Sequence, residues 1–111
     1  MPAEFERATQ LNPLQPIYFN QLGVTYRQQG HFDKAKRAYE RAIALDGAYA
    51  APVLNLGILH DLYLGEGARA LEWYDRYVAL AGNDAIVTKW IVDLKNRKPQ
   101  PIRVGALKEK E

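Results

Sequence analysis

The sequence repeats itself at a fixed distance, and this repetition constrains the fold more than any other feature. Residues 5–11 (FERATQL) correspond to residues 39–45 (YERAIAL), 34 positions later. Residues 22–23 (Leu-Gly) recur at the same distance as residues 56–57. A period of this size is typical of arrays in which each repeat is one small unit that stacks on its neighbours.

Apolar residues within each unit recur at intervals of three and four, which is the spacing of an α-helix. The first complete unit predicts one helix over 17–26, ended by Gly30, and a second helix over 35–45. Asp33 is expected to be the N-cap of that second helix, because a short acidic side chain can accept hydrogen bonds from its first amides.

The same order returns in the second unit, with helices predicted over 52–64 and 68–80. Ala35 and Ala70 are 35 positions apart rather than 34, so this unit carries one extra residue. We expect that residue to lie in the turn over 65–67, where two glycines favour a break between helices.

A final helix is predicted over 85–98, starting at Asp84. Its apolar stripe of Val87, Ile91 and Leu94 can cover the second unit. Residues 99–111 begin with Pro-Gln-Pro, which cannot continue a helix. We therefore expect a flexible basic tail there.

These residues resemble the tetratricopeptide repeat, whose pattern is W-x2-L-G-x2-Y, then A-x3-F, then P. The first unit matches through Phe19, Leu22, Gly23, Tyr26, Ala35 and Tyr39, and the second through Val53, Leu56, Gly57, His60, Ala70 and Tyr74. The resemblance implies an all-α, helix-turn-helix α-solenoid with a C-terminal capping helix. The implied domain spans 1–98, with a partial repeat (2–15), two repeats (16–49 and 50–84) and the capping helix (85–98), before the tail (99–111).

The sequence departs from the family pattern at two informative positions, His60 and Tyr77. His60 stands where the family has tyrosine, and we expect it to pack in place of that ring. Tyr77 replaces a small residue and is expected to push the last helix outward. Trp73 is expected to pack against the last helix, with exposure on the convex side as the alternative.

The composition argues against several classes of function. Residues 95–111 carry six basic and two acidic side chains (net +4), whereas the rest of the chain carries nine basic and eleven acidic ones (net −2). The folded part is therefore not basic, which argues against a nucleic-acid binder. The two histidines, His31 and His60, share no metal-ligand spacing, there is no cysteine, and 65–67 lacks the lysine of a phosphate loop. We expect no enzyme activity, cofactor or metal.

The sequence also bears on location. The N-terminus lacks the basic and apolar regions of a signal peptide, and no apolar run is long enough to cross a membrane. Either the cytoplasm or the periplasm would suit this chain.

The family resemblance also implies a binding surface, because the first helix of each unit lines the concave face of the superhelix. Carried over to this sequence, the groove would contain Asn20, Val24, Arg27, Leu54, Ile58, Asp61, Lys89 and Asp93, with Arg97 beyond them. The lysine and asparagine clamp that holds C-terminal carboxylates in some members is absent. The residues of this groove predict a protein-interaction scaffold, which would bind a peptide through one or two apolar anchor residues. The alternative is self-association, giving a homo-oligomer through the open N-terminal helix.

Overall fold

The computed structural model describes residues 15–97, and all regular structure in this part of the chain is helical. Five α-helices and one π-helical segment follow each other: α1 Pro16–Gln28, α2 Phe32–Leu45, α3 Ala50–Ile58, π1 Leu59–Tyr63, α4 Gly67–Ala81 and α5 Ala85–Asn96. α1 packs on α2, α3 with π1 packs on α4, and α5 covers α4. The predicted all-α helical repeat is confirmed. The partial repeat before Gln15 and the tail lie outside the described residues, and the repeat boundaries stay a prediction.

The start of α2 corrects one prediction. His31, not Asp33, is the N-cap residue, and Asp33 lies within the first turn of the helix. Gly30 turns the chain with a φ of +83°, and the Ala35 amide then donates to the His31 carbonyl at 2.9 Å. Because that bond closes the first turn at His31, Asp33 comes too late to cap it. Its carboxylate instead lies near the positive end of the helix dipole.

The extra residue of the second unit lies inside a helix, so its predicted position in the turn was wrong. After Ile58 the helix widens into π1, where the Leu64 amide donates to the Leu59 carbonyl at 3.0 Å. This five-residue spacing accommodates one residue more than an α-helical turn does. Gly65 then matches Gly30 of the first unit, and both have a positive φ.

Each helical pair is held together by a tyrosine that lies on a glycine. Tyr39 and Tyr74 are almost completely buried, at 0% and 1% exposure. A Cβ atom on Gly23 would lie 2.5 Å from Tyr39 Cε1, and one on Gly57 would lie 2.5 Å from Tyr74 Cδ1. Small residues therefore let the paired helices approach, while large residues fill the space between them.

The last helix docks onto the second unit as its apolar stripe predicts. Val87, Ile91 and Leu94 are buried together with Tyr74 and Ala70. Asp84 is the N-cap residue, as expected, and its Oδ1 accepts from the amides of Ile86 at 3.0 Å and Val87 at 3.3 Å.

Tyr77 does not keep this helix away. Its ring packs partly buried against the same cluster of apolar residues, and its hydroxyl donates to Asp84 Oδ2 at 3.2 Å. The large side chain at this position therefore ties α4 to the start of α5.

Trp73 packs in the opposite direction from the expected one. Its ring lies partly buried against the cluster of Ala35, Tyr39, Leu56 and Leu59, between the two repeats, rather than on α5. Residues one apart on a helix point about 100° away from each other. Since Tyr74 faces α5, Trp73 faces the first repeat.

Candidate functional site

A pocket of about 270 Å³ opens between π1 and α5. It brings together apolar, aromatic and charged side chains from three consecutive elements. Its lining residues are Ile58, Asp61, Leu62, Tyr74, Trp90, Asp93 and Arg97.

Asp61 is the most enclosed charged side chain of this pocket, with 10% of its side chain exposed. The Tyr74 hydroxyl donates to Asp61 Oδ2 at 3.0 Å. Arg97 Nη1 lies 3.7 Å from Asp61 Oδ1, which is an ion pair but longer than a direct hydrogen bond. The carboxylate is therefore held in place through one oxygen, while within residues 15–97 the other has only this distant partner.

The Tyr74 hydroxyl is affected by this neighbour. Burial, and then the charge of Asp61, raise the pKa of Tyr74 above its ordinary value. Both effects disfavour the phenolate, because it would be poorly solvated and would lie next to a carboxylate. Tyr74 therefore acts at this site as a neutral hydrogen-bond donor.

The aromatic wall of the pocket is Trp90, on α5. Its ring centroid is 5.8 Å from that of Tyr74, with an angle of 47° between the planes. Trp90 also packs partly buried against the cluster around Val87 and Ile91. This support fixes the ring while leaving part of it exposed.

The apolar surface beside the pocket comes from Leu62, whose exposure is 70%. Leu62 lies in π1 directly after Asp61. Ile58, one turn earlier, is partly buried against the apolar residues of α4 and α5. The acidic side chain of Asp61 is therefore bordered by the apolar side chain of Leu62 on the same segment, π1.

Three of the eight groove residues predicted from the sequence, Ile58, Asp61 and Asp93, come together in this pocket. Leu54 packs partly buried against the Tyr74 cluster, and Val24 packs against the cluster around Tyr39. The pocket does not include these two residues, nor does it include the exposed Lys89. A role for these side chains in partner binding stays a prediction.

The remaining two predicted residues interact with other parts of the chain. Asn20 is 5% exposed, accepts from Asn55 Nδ2 at 2.9 Å and donates to the Tyr49 hydroxyl at 3.4 Å. The Arg27 guanidinium lies 5.5 Å from the centre of the Tyr63 ring. Both side chains thereby connect α1 with the second unit, and neither lines the pocket.

The groove predicted from the sequence does not include Leu62, Tyr74 or Trp90, which also line the pocket. Tyr74 matched the second helix of the repeat, which the family pattern assigns to the core. Trp90 lies beside the apolar stripe of Val87, Ile91 and Leu94 on the last helix. Its indole alone, an amphipathic side chain next to a buried stripe, was a signal for an interface position.

Within residues 15–97, no group of three or more histidine, cysteine, aspartate or glutamate side chains could hold a metal ion. In the same region, no helix is both long and apolar enough to cross a lipid bilayer.

Comparison with known families identifies the architecture. Residues 16–49, which cover α1 and α2, match the sequence model of the tetratricopeptide repeat family. The chain contains a tetratricopeptide repeat. Tetratricopeptide repeats generally mediate protein–protein interactions and generally act as scaffolds rather than as enzymes. The second repeat lies outside the matched residues, but its Gly57–Tyr74 contact reproduces the Gly23–Tyr39 contact of the first.

Proposed function

We propose that this protein binds a peptide segment of another protein in the pocket between π1 and α5. The observation that carries the proposal is the combination of an exposed Leu62 with a half-buried Trp90 around one concavity. Isolated exposed apolar residues are normal on a protein surface. Here the exposed leucine borders a pocket that also contains an aromatic ring and two carboxylates, which is the mixture that fixes a ligand's orientation.

The dimensions of the pocket favour a short anchor over a large ligand. Its volume of about 270 Å³ lies below the range of about 300–1,000 Å³ that is usual for drug-sized ligands. One or two side chains of an extended or helical peptide would fill it. Such a small interface belongs with weak, transient complexes, and we expect an affinity in the micromolar range.

A selection of random peptides against the full chain tests the proposal. Peptides of about twelve residues would be selected on the wild-type protein and then measured against two variants. Leu62→Ser removes the apolar side chain beside the pocket. Ile86→Ser is the matched control, because Ile86 is 64% exposed on α5 but does not line the pocket.

We expect selected peptides to lose at least about tenfold in affinity on Leu62→Ser and less than about twofold on Ile86→Ser. Tenfold corresponds to about 1.4 kcal/mol, within the range for losing part of one buried apolar contact. Peptides that bind both variants equally well, or a complete failure to select binders, would contradict the proposal. Circular dichroism of both variants would establish that the helices are retained.

Self-association is the second candidate function. This hypothesis rests on the helix predicted before Gln15, which lies outside the described part of the chain. A second pocket, between α1 and α2, combines apolar and basic side chains; its lining residues are Phe19, Leu22, Tyr26, Lys34, Arg37, Ala38 and Arg41. Light scattering over a range of concentrations separates the two candidates. A constant mass near 12.6 kDa excludes self-association, and a mass that rises with concentration supports it.

A further inference from the structure

We infer that the partner peptide carries a basic side chain, arginine or lysine, next to an apolar residue. The basic group would contact Asp61 and Asp93 and lie against Trp90, and the apolar neighbour would cover Leu62. This inference rests on the proposed function and adds the chemistry of the partner.

The argument begins with the unused acceptor of Asp61. A carboxylate has two oxygens with about four lone-pair positions. Tyr74 uses Oδ2, whereas the cation nearest to Oδ1 among the described residues is Arg97 Nη1 at 3.7 Å. A charge that is nine-tenths buried is costly unless it is paired and hydrogen-bonded. A guanidinium or ammonium group from a ligand would supply the missing short bond to Oδ1.

The charge balance of the pocket points to the same ligand. Among the described residues that line the pocket, Asp61 and Asp93 are acidic and Arg97 is the one basic residue. The formal charge of these described residues is therefore −1. Arg97 is 52% exposed, so its side chain can move aside without leaving a buried cation unpaired. Electrostatic complementarity favours a positively charged ligand and disfavours an acidic peptide or a C-terminal carboxylate.

The aromatic wall adds a second attraction for a cation. A guanidinium or ammonium group within about 6 Å of a tryptophan ring centre is attracted to the face of the ring, by about 0.5–2 kcal/mol depending on solvation. Within the described residues the protein makes such contacts internally, as between Arg76 and Trp73 at 5.1 Å. Trp90 is half-buried, and Asp93 follows it by three residues on the same helix, so one cation could contact both.

The experiment aligns the sequences of the peptides selected on the full chain and determines which residue types are enriched at each aligned position. We expect arginine or lysine to be enriched beside an apolar residue among the peptides whose binding depends on Leu62. For one such peptide, citrulline would then replace the arginine, since it keeps the shape and removes the charge. This replacement should weaken binding by about tenfold or more.

The protein side of the test is Asp61→Asn, which keeps an oxygen that can accept from Tyr74 and removes the charge. It should lower the affinity for the arginine peptide by about tenfold and leave the affinity for the citrulline peptide nearly unchanged. The reason is that Asp61→Asn and the citrulline replacement remove the same interaction. Asp75→Asn is the matched control, since Asp75 is an exposed aspartate on α4 away from the pocket. It should change neither affinity by more than about twofold.

Each outcome separates the inference from the proposed function. The inference would be overturned if the peptides whose binding depends on Leu62 showed no enrichment of arginine or lysine. It would also be overturned if the arginine and citrulline forms of a peptide bound with equal affinity. Either result would leave the proposed function intact. Failure to find any peptide that depends on Leu62 would overturn both. A concentration-dependent mass that Asp61→Asn abolishes would show that a second copy occupies the pocket, and this too would overturn the inference.

Discussion

The ring of Tyr39 lies so close to the backbone of Gly23 that a Cβ atom on this glycine would be 2.5 Å from Tyr39 Cε1. Tyr39 is completely buried, so its ring has little room to move away. The contact sets the distance between α1 and α2. It is the structural reason for the Leu-Gly pair that recurs in both repeats.

Gly23→Ala should therefore destabilise the protein although alanine is the better helix former. The gain in helix propensity is about 1 kcal/mol, whereas overpacking a filled core costs about 1–3 kcal/mol and more for a rigid ring. We expect a net loss of about 1–3 kcal/mol in the free energy of unfolding, measured with urea, and no stable fold for Gly23→Leu. Gly47→Ala is the control, because nothing lies within 4 Å of its Cβ position. Equal stability of the two alanine variants would contradict the assigned packing.

His60 allows a test of whether packing or hydrogen bonding matters more at a buried position. It is 1% exposed, and its two ring nitrogens differ in their hydrogen-bond partners. Nδ1 lies 2.6 Å from Glu66 Oε1, whereas Nε2 is buried with no hydrogen-bond partner among the described residues. Replacing a poorly satisfied polar ring by an apolar ring of similar shape can be nearly neutral. We expect His60→Phe to change the free energy of unfolding by less than about 1 kcal/mol, and the cavity left by His60→Ala to cost about 2–4 kcal/mol. Similar losses for both variants would show that the bond to Glu66 matters more than the packing.

Asp84 combines two roles at the start of α5, since one carboxylate oxygen caps the helix and the other accepts from Tyr77. Asp84→Ala should lower the free energy of unfolding by about 1–2 kcal/mol, as the loss of an N-cap usually does. Asp84→Asn is the control, because asparagine is an equally good N-cap residue, and it should stay within about 0.5 kcal/mol of wild type. Urea unfolding followed by tryptophan fluorescence would measure both. An Asn variant as unstable as the Ala variant would indicate that the charge matters and the cap does not.

Three tyrosines link stability to alkaline pH. Burial, as the largest cause, raises the pKa of Tyr39, Tyr74 and Tyr77 above the ordinary value of about 10. Above pH 10 the unfolded chain releases these protons while the folded chain keeps them, so the unfolded state binds fewer protons and stability falls as pH rises. We expect a stability contribution that is fully present below about pH 9 and is lost above pH 10.

Urea unfolding across this pH range, together with the absorbance of tyrosinate, would measure the effect. Tyr74→Phe should reduce the slope of stability against pH, because one of the three linked protons is removed. An unchanged slope in this variant would mean that Tyr74 titrates alike in the folded and unfolded states.

The fold was predictable because the repeat period, the helical spacing and the glycine positions all indicate the same architecture. The Leu-Gly pairs and the stripe of Val87, Ile91 and Leu94 correctly located the packed faces. The predicted N-cap of α2 was wrong because the turn at Gly30 starts the helix at His31. This is two residues before Asp33, which has the better capping side chain. Sequence pattern records which residue could cap a helix, but the turn decides where the helix begins.

The pocket was only partly predictable. Counting from the repeat identified Ile58, Asp61 and Asp93, because each lies on a helix that the family places along the groove. Counting could not identify Tyr74, which reaches the pocket from the helix behind while also forming the core. Asn20 has the right spacing but is buried in hydrogen bonds to Tyr49 and Asn55, a pairing between distant residues that no local pattern shows.

Because of the wide turn in π1, the two repeats have the same helical framework but different side chains at corresponding surface positions. The wide turn absorbs one additional residue, so residues before it correspond to the first repeat at an offset of 34 and residues after it at an offset of 35. Asp61 therefore corresponds to Arg27 when counted from the preceding residues and to Tyr26 when counted from the following ones. Neither position of the first repeat carries a carboxylate, and moving this pocket onto another helical array would require moving the inserted residue with it.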